Sequence, residues 1–85
     1  MQTTLSFKHE GKTYTSKQFD FEALCLINDK HGDDNKGVFR MTADAVDYMF
    51  RESEGAGIIK ELSPAVRARL CREAWEMYAD AIKNG

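Results

Sequence analysis

Apolar and polar residues alternate along the first part of the chain, which is the pattern of a β-strand. Phe7 stands between polar neighbours, the alternation pauses at Glu10-Gly11, and it resumes around Tyr14. Alternation on both sides of a two-residue loop predicts a β-hairpin over residues 3–19, with Phe7 opposite Tyr14. Because two strands alone are marginal in water, the apolar face of this hairpin must pack on helices.

The hydrophobic pattern changes to helical spacing directly after the hairpin. Asp20 is a suitable N-cap, because its carboxylate can accept hydrogen bonds from the free amides of a first helical turn. Phe21, Leu24 and Cys25 then recur three and four residues apart, and Gly32 is a natural left-handed stop. The sequence therefore predicts a first helix whose apolar face is centred on these three side chains and Asn28. Leu26, Ile27 and His31 widen that face.

A second helix is predicted after a polar, glycine-containing segment. Residues 33–41 lack periodicity and predict a loop that carries Phe39 in or near the core. Thr42 follows as the expected N-cap, and apolar residues then recur at helical spacing. Asp47 and Arg51 stand four residues apart, where an ion pair on the outer side of the helix is expected.

The last helix is predicted to be the longest. Ser63 at the N-cap followed by Pro64 at the first helical position is a strong start signal. The apolar face that follows covers nearly half the circumference, which is typical of a helix that contacts two elements or a partner. Its centre consists of Val66, Leu70, Ala74, Met77 and Ala81.

Together these elements predict an α+β fold in one domain, residues 1–85. The N-terminal β-hairpin packs on about three α-helices within residues 20–85, and the C-terminal helix is the longest.

Composition and charge are those of an ordinary globular protein. Of the 85 residues, 42% are hydrophobic and 31% charged, and the formal net charge is −2. The basic residues are dispersed rather than clustered, which disfavours nucleic acid as a partner. We expect a protein of the cytoplasm, because there is no apolar run long enough for a membrane helix and no signal-peptide order at the N-terminus.

Candidate metal ligands and catalytic groups do not form a recognisable motif. Cys25, Cys71, His9 and His31 are not at zinc-ligand spacing, and the two cysteines fit buried free thiols in a reducing compartment. The carboxylates fall in predicted loops and on polar helix faces, without an evident nucleophile and base. The sequence therefore predicts a non-enzymatic protein without a cofactor or metal.

Three arginines crowd the first turns of the last helix, where positive charge opposes the helix dipole. Arg67, Arg69 and Arg72 are either paired with neighbouring carboxylates or directed at an acidic partner. Both alternatives stay open from the sequence.

Three apolar side chains lie in or beside irregular segments rather than on a clear helical face. Phe39, Ile58 and Ile59 either fill the core under a loop or form an exposed patch of the kind that marks a protein-binding site. These three residues and the three arginines are the candidate partner-binding residues.

The order of the first elements resembles the tail assembly chaperones of long-tailed bacteriophages and prophages. A short hairpin, "LSFKHEGKTYTSKQF", feeds directly into a helix that begins "FDFEALCLIND". Members of that family open with a strand-rich segment that leads into a helix with a similar aromatic, acidic, aromatic, Ala-Leu start. The match covers roughly residues 3 to 32 and is carried by Phe19, Asp20, Phe21, Ala23 and Leu24, with Ile27 and Asn28 less distinctive.

The resemblance implies a non-catalytic assembly factor of the bacterial host cytoplasm, in the short form of a family that also has a longer, frameshifted form. Its implied partners are the tape measure and tail tube proteins, and self-association is compatible with the wide apolar face of the last helix. Two alternatives belong to other classes. One is a structural virion component of the head-tail connector type, and the other is a small regulatory protein that binds nucleic acid.

Overall fold

An N-terminal hairpin and four α-helices make up the fold in the computed structural model, which describes residues 2–31 and 37–84. A short 3₁₀ turn at Ile59–Glu61 precedes the last helix. The strands are β1 (Ser6–His9) and β2 (Lys12–Thr15), and the helices are α1 (Phe21–His31), α2 (Val38–Met49), α3 (Glu54–Ile58) and α4 (Pro64–Asn84). The predicted α+β fold is confirmed, and α4, with 21 residues, is the longest helix. The five-residue α3 is additional to the three helices that the sequence predicts.

The hairpin turn has the backbone that its register requires. β1 and β2 are antiparallel, with Phe7 opposite Tyr14 as predicted. Glu10 and Gly11 both have positive φ, at 50° and 80°, as a two-residue turn needs in order to match the twist of the strands. Gly11 adopts this conformation at little cost, whereas Glu10 does so against the steric preference of its side chain.

Backbone pairing continues beyond the two strands towards α1. The Ser16 amide donates to the Leu5 carbonyl at 2.8 Å, and the Phe19 amide donates to the Thr3 carbonyl at 2.7 Å. The Lys17 amide donates to the Met49 carbonyl at 2.9 Å, which ties the hairpin to the C-terminal end of α2. The hairpin therefore leads into α1 without a free loop.

The main core lies between the hairpin, the C-terminal half of α2 and one face of α4. Phe50 is fully buried, and its ring lies 5.1 Å from that of Phe7, which stacks on Tyr14 at 5.4 Å. Leu5 and Met49 are also fully buried. A smaller cluster, centred on Ile27, Ala45 and Tyr78, lies where α1, α2 and α4 meet.

The N-cap of α1 is confirmed, but the buried face of the helix is rotated from the predicted centre towards Ile27, which lies at the margin of the predicted face. The Ala23 amide donates to Asp20 Oδ1 at 3.0 Å. Ala23 and Ile27 are the buried residues of this helix, whereas Phe21 is 77% exposed. The small Ala23 lets α1 approach the core closely, and the predicted stop at Gly32 lies outside the described residues.

The start of α2 is earlier than predicted. The helix begins at Val38 after an extended Gly37, so Thr42 is not its N-cap and Phe39 is in its first turn. Thr42 is fully buried, and its hydroxyl donates to the Val38 carbonyl at 2.7 Å. The Thr42 hydroxyl is therefore satisfied by a carbonyl of its own helix, whereas the sequence alone predicts it as the N-cap of that helix. Of the loop predicted over 33–41, the first four residues lie outside the described ranges.

The predicted ion pair between Asp47 and Arg51 is wrong. The Arg51 guanidinium lies 3.7 Å from the centroid of the Tyr48 ring. It donates to the Tyr48 carbonyl at 2.9 Å and to Asp20 Oδ2 at 3.5 Å. Because α2 ends at Met49, Arg51 is no longer on the helix and can reach back to the cap of α1.

The sequence signals for α4 are confirmed. The Val66 amide donates to Ser63 Oγ at 3.3 Å, and Pro64 is the first helical residue. Of the predicted central positions, Leu70, Ala74 and Met77 are buried. This face packs mainly against α2, which lies between α1 and α4.

Candidate functional site

An open groove lies between the N-terminal turns of α2 and the N-terminal turns of α4. Its volume is about 660 Å³. Its deepest side chains are Leu62 and Cys71, both of which are buried and belong to the main core. The other lining residues are Phe39, Arg40, Ala43, Pro64, Ala65, Arg67 and Ala68.

Small side chains keep the groove open. Ala43 lies on the α2 side, and Ala65 and Ala68 lie one turn apart on the α4 side. Since an alanine side chain ends at Cβ, the two helices leave an apolar depression between them rather than interdigitated side chains.

Phe39 is an exposed apolar wall of the groove. It is 50% exposed, because the early start of α2 places it in the first turn and on the outer side of the helix. The Arg72 guanidinium lies 6.0 Å from the centroid of the Phe39 ring, within the range of a cation–π contact. A large aromatic surface in contact with water beside an apolar depression is typical of a binding surface.

Positive charge surrounds the groove. Arg40 and Arg67 line it, and Arg72 reaches it through Phe39. Within residues 2–31 and 37–84, no carboxylate forms an ion pair with Arg67 or Arg72, whereas Arg69 pairs with Glu73 at 2.9 Å. Residues of the N-terminal turns of both helices line the groove, and the N-terminal end of a helix carries partial positive charge.

One carboxylate lies close enough to the groove to feel its charge. Burial raises the pKa of Asp47, and the positive charge of Arg67 partly opposes that shift. Asp47 and Arg67 therefore interact through their charges, although they do not form an ion pair.

Five of the six predicted partner-binding residues fall into two groups. Phe39, Arg67 and Arg72 come together at the groove. Ile59 is 1% exposed and Ile58 is partly buried against the main core, so these two residues fill the core instead of forming a patch.

Arg69, the sixth, has a structural role. It donates to the Ser6 carbonyl at 3.0 Å, which ties α4 to β1, and it pairs with Glu73 within α4. The three arginines are neighbours on one helix but have different partners. The sequence alone therefore could not decide which of them pair with carboxylates of this chain.

Several groove residues are missed by sequence reasoning. Arg40 lies in a segment without periodicity, and Cys71 is indistinguishable from any buried thiol. Ala65 and Ala68 have no chemical signature, and their importance depends on Ala43 facing them across the groove. No signal within one helix could have identified this juxtaposition.

A second aromatic cluster lies at the other end of α4. The His31 ring meets Trp75 edge-on at 5.4 Å, and Trp75 lies 5.3 Å from Tyr78. The Tyr78 hydroxyl donates to Asn28 Oδ1 at 2.7 Å, which joins α1 to α4. The side chains of this cluster contact one another and join α1 to α4, so we interpret the cluster as structural packing rather than as a binding site.

Apart from the Cys71 thiol, the described side chains that line the groove are apolar residues and arginines. In this part of the chain, no three His, Cys, Asp or Glu side chains are placed to hold a metal ion. Cys25 and Cys71 are free thiols, and burial raises the pKa of Cys25. The groove offers apolar contact and positive charge, which are means of binding.

Comparison with known proteins adds no further identification. Neither the family models, the curated proteins nor the solved structures contain a significant match to this chain. Across the two described ranges, no helix combines the length and apolar character that a membrane-spanning segment needs.

Proposed function

We propose that this chain is a non-catalytic tail assembly chaperone of a long-tailed bacteriophage or prophage. It acts in the cytoplasm of the host bacterium and binds the tape measure and tail tube proteins while the tail is built. The observation that carries the binding role is the open apolar groove between α2 and α4, with its half-exposed Phe39.

The phage assignment is supported by the resemblance at the junction between hairpin and helix. In that segment, Phe19 and Asp20 have clear structural roles. The Phe19 amide closes the last backbone bond of the hairpin, and Asp20 caps α1. Two of the residues that carry the resemblance therefore lie where the strand-rich segment joins the first helix and form hydrogen bonds there.

The test is made in the phage that encodes the chain. Deletion of the gene is expected to give filled heads without tails. The tagged chain is expected to co-purify from infected cells with the tape measure and tail tube proteins, and to be missing from finished particles. Normal tails after deletion, or a chain that ignores both tail proteins, would contradict the proposal.

A matched pair of variants separates the groove from general surface effects. Phe39→Ala removes a side chain that is 50% exposed at the groove, and Ile82→Ala removes one that is 55% exposed near the end of α4. Phe39→Ala is expected to lose the tail proteins, whereas Ile82→Ala is expected to retain them. Equal retention by both variants would place the binding surface elsewhere.

Two further results would favour the other classes of protein. A fixed number of copies in finished particles would favour a structural component of the head-tail connector type. Retention on duplex DNA that falls steeply with salt would favour a regulatory protein, because phosphate contacts release counterions.

A further inference from the structure

We infer that the groove between α2 and α4 binds an amphipathic α-helix of a partner protein, in which aliphatic anchor side chains are flanked by carboxylates. This inference deepens the proposed function and rests on it in taking the partner to be a protein. It specifies the chemistry of the segment that the groove recognises.

The shape of the groove fits a helix. A volume of about 660 Å³ lies within the range of well-formed binding sites and can take more than one side chain. The walls are themselves two helices, and the alanines along them let a third helix approach closely. Helices that bind in grooves insert anchors from successive turns, and Leu62 and Cys71 provide an apolar floor for them.

Exposed apolar surface marks where the partner makes contact. Phe39 is one of three large apolar side chains in the described ranges that are exposed, together with Phe21 and Ile82. Of these three, only Phe39 lines the groove. Phe and Arg are both enriched at protein–protein interfaces, and the groove carries both.

The charge of the groove selects the flanks of the partner helix. Arg40, Arg67 and Arg72 surround an apolar floor in a chain whose formal net charge is −2, so this positive region runs against the overall charge. The N-terminal ends of α2 and α4 add to it. A carboxylate beside an anchor side chain would meet guanidinium groups that lack such a partner within the described residues.

A second copy of this chain is the competing occupant. The C-terminal turns of α4 carry exposed Ile82 with Glu76 and Asp80 nearby, which is a similar combination of apolar and acidic groups. Several of these turns are held by the aromatic cluster, since Trp75 and Tyr78 pack towards α1. We therefore assign the groove to a different protein and treat self-association as an outcome that overturns the inference.

The test uses fluorescent synthetic helical peptides and fluorescence anisotropy with the full chain. One peptide has two leucines one turn apart with glutamates around them. The second has lysines in place of the glutamates, and the third has alanines in place of the leucines. The chain is expected to bind the first peptide at least about tenfold more tightly than either of the others.

Variants of the chain locate the binding. Arg67→Glu with Arg72→Glu is expected to weaken binding of the acidic peptide at least about tenfold. Lys8→Glu with Lys83→Glu changes the net charge equally at exposed sites away from the groove, and is expected to bind normally. Ala68→Phe fills the groove without changing charge and is expected to abolish binding. If the charge reversal unfolds the chain, the two arginines are changed to glutamine instead.

Thiol reactivity gives a second readout at the groove. Cys71 lines the groove and Cys25 lies on α1, outside it. The acidic peptide is expected to slow alkylation of Cys71 and to leave that of Cys25 unchanged.

Four results would overturn the inference. They are equal binding of the acidic and lysine peptides, no binding of any peptide, normal binding by Ala68→Phe, or a dimer in sedimentation that the Arg67 and Arg72 reversals dissociate.

Failure of the inference is distinguishable from failure of the proposed function. If the tail proteins still co-purify with the arginine and Ala68 variants, the proposed function holds but the groove is not its binding site. If the peptides bind but no tail protein does, the groove binds a helix but the proposed function is wrong.

Discussion

The two glycines of α3 give a sharp test of the packing between this short helix and the main core. A methyl group built at Gly55 would lie 2.9 Å from Cδ1 of Phe50, whereas one built at Gly57 would meet nothing within 4 Å. Both positions lie in the same five-residue helix. The substitutions Gly55→Ala and Gly57→Ala therefore share their effect on helix propensity and differ in packing.

The magnitudes follow from two opposed effects. Replacing a helical glycine by alanine stabilises a helix by about 1 kcal/mol at most. At Gly55 the new methyl group must displace the Phe50 ring, which is fully buried and held against Phe7. Overpacking of this kind costs about 1–3 kcal/mol. We expect Gly57→Ala to raise the free energy of unfolding by about 0.5–1 kcal/mol. The free energy of unfolding of Gly55→Ala should be about 1–3 kcal/mol lower than that of Gly57→Ala.

Urea unfolding, followed by the fluorescence of Trp75, the single tryptophan, measures the free energy of unfolding of both variants. For a domain of this size, the expected difference corresponds to a separation in Tm of about 4–24 °C. Equal stability of the two variants would refute the reasoning, because it would mean that Phe50 can move aside without loss of packing.

Three further predictions concern single contacts. Asp20→Ala is expected to lower the free energy of unfolding by about 1 kcal/mol and Asp20→Asn by much less, because asparagine can also cap α1; urea midpoints of the two variants measure the difference. Tyr78→Phe removes the hydrogen bond to Asn28 and is expected to cost about 0.5–1.5 kcal/mol, with no loss if water serves Asn28 equally well. The hydrogen bond from Lys12 lowers the pKa of Glu54 below its ordinary 4.5, so its stabilising effect is present above that pH and is lost as the pH falls further. The small difference between wild type and Glu54→Gln in urea midpoint should therefore shrink in acid and in high salt, and a difference that grew in acid would contradict the sign.

Features that depend on neighbouring residues were predictable from the sequence. The alternation around Glu10 and Gly11 fixes the pairing of Phe7 with Tyr14, because a shift of one residue would turn every apolar side chain of the hairpin to the other face. The cap of α4 at Ser63 likewise depends on adjacent residues only. These signals are local, and the structure agrees with them.

Features that depend on tertiary contact were not predictable in the same way. Thr42 has the composition of an N-cap, yet the packing of α2 between α1 and α4 buries it and extends the helix back to Val38. That extension places Phe39 on a helix surface and so creates one wall of the groove. The alanines of the other wall carry no signal until two helices that are distant in sequence are brought together.

The separation between core and groove bears on how such a small domain can support a binding function. The large side chains that hold the hairpin to the helices, such as Phe7 and Phe50, lie away from the groove, which shares only Leu62 and Cys71 with the main core. Residues at the rim, including Phe39 and Arg67, contribute little buried area to the fold. Changes at the rim therefore alter what the groove can bind without removing the contacts that keep the chain folded, whereas changes at Leu62 or Cys71 affect both. The proposed binding function therefore places its variable contacts at the rim, apart from the large side chains of the main core.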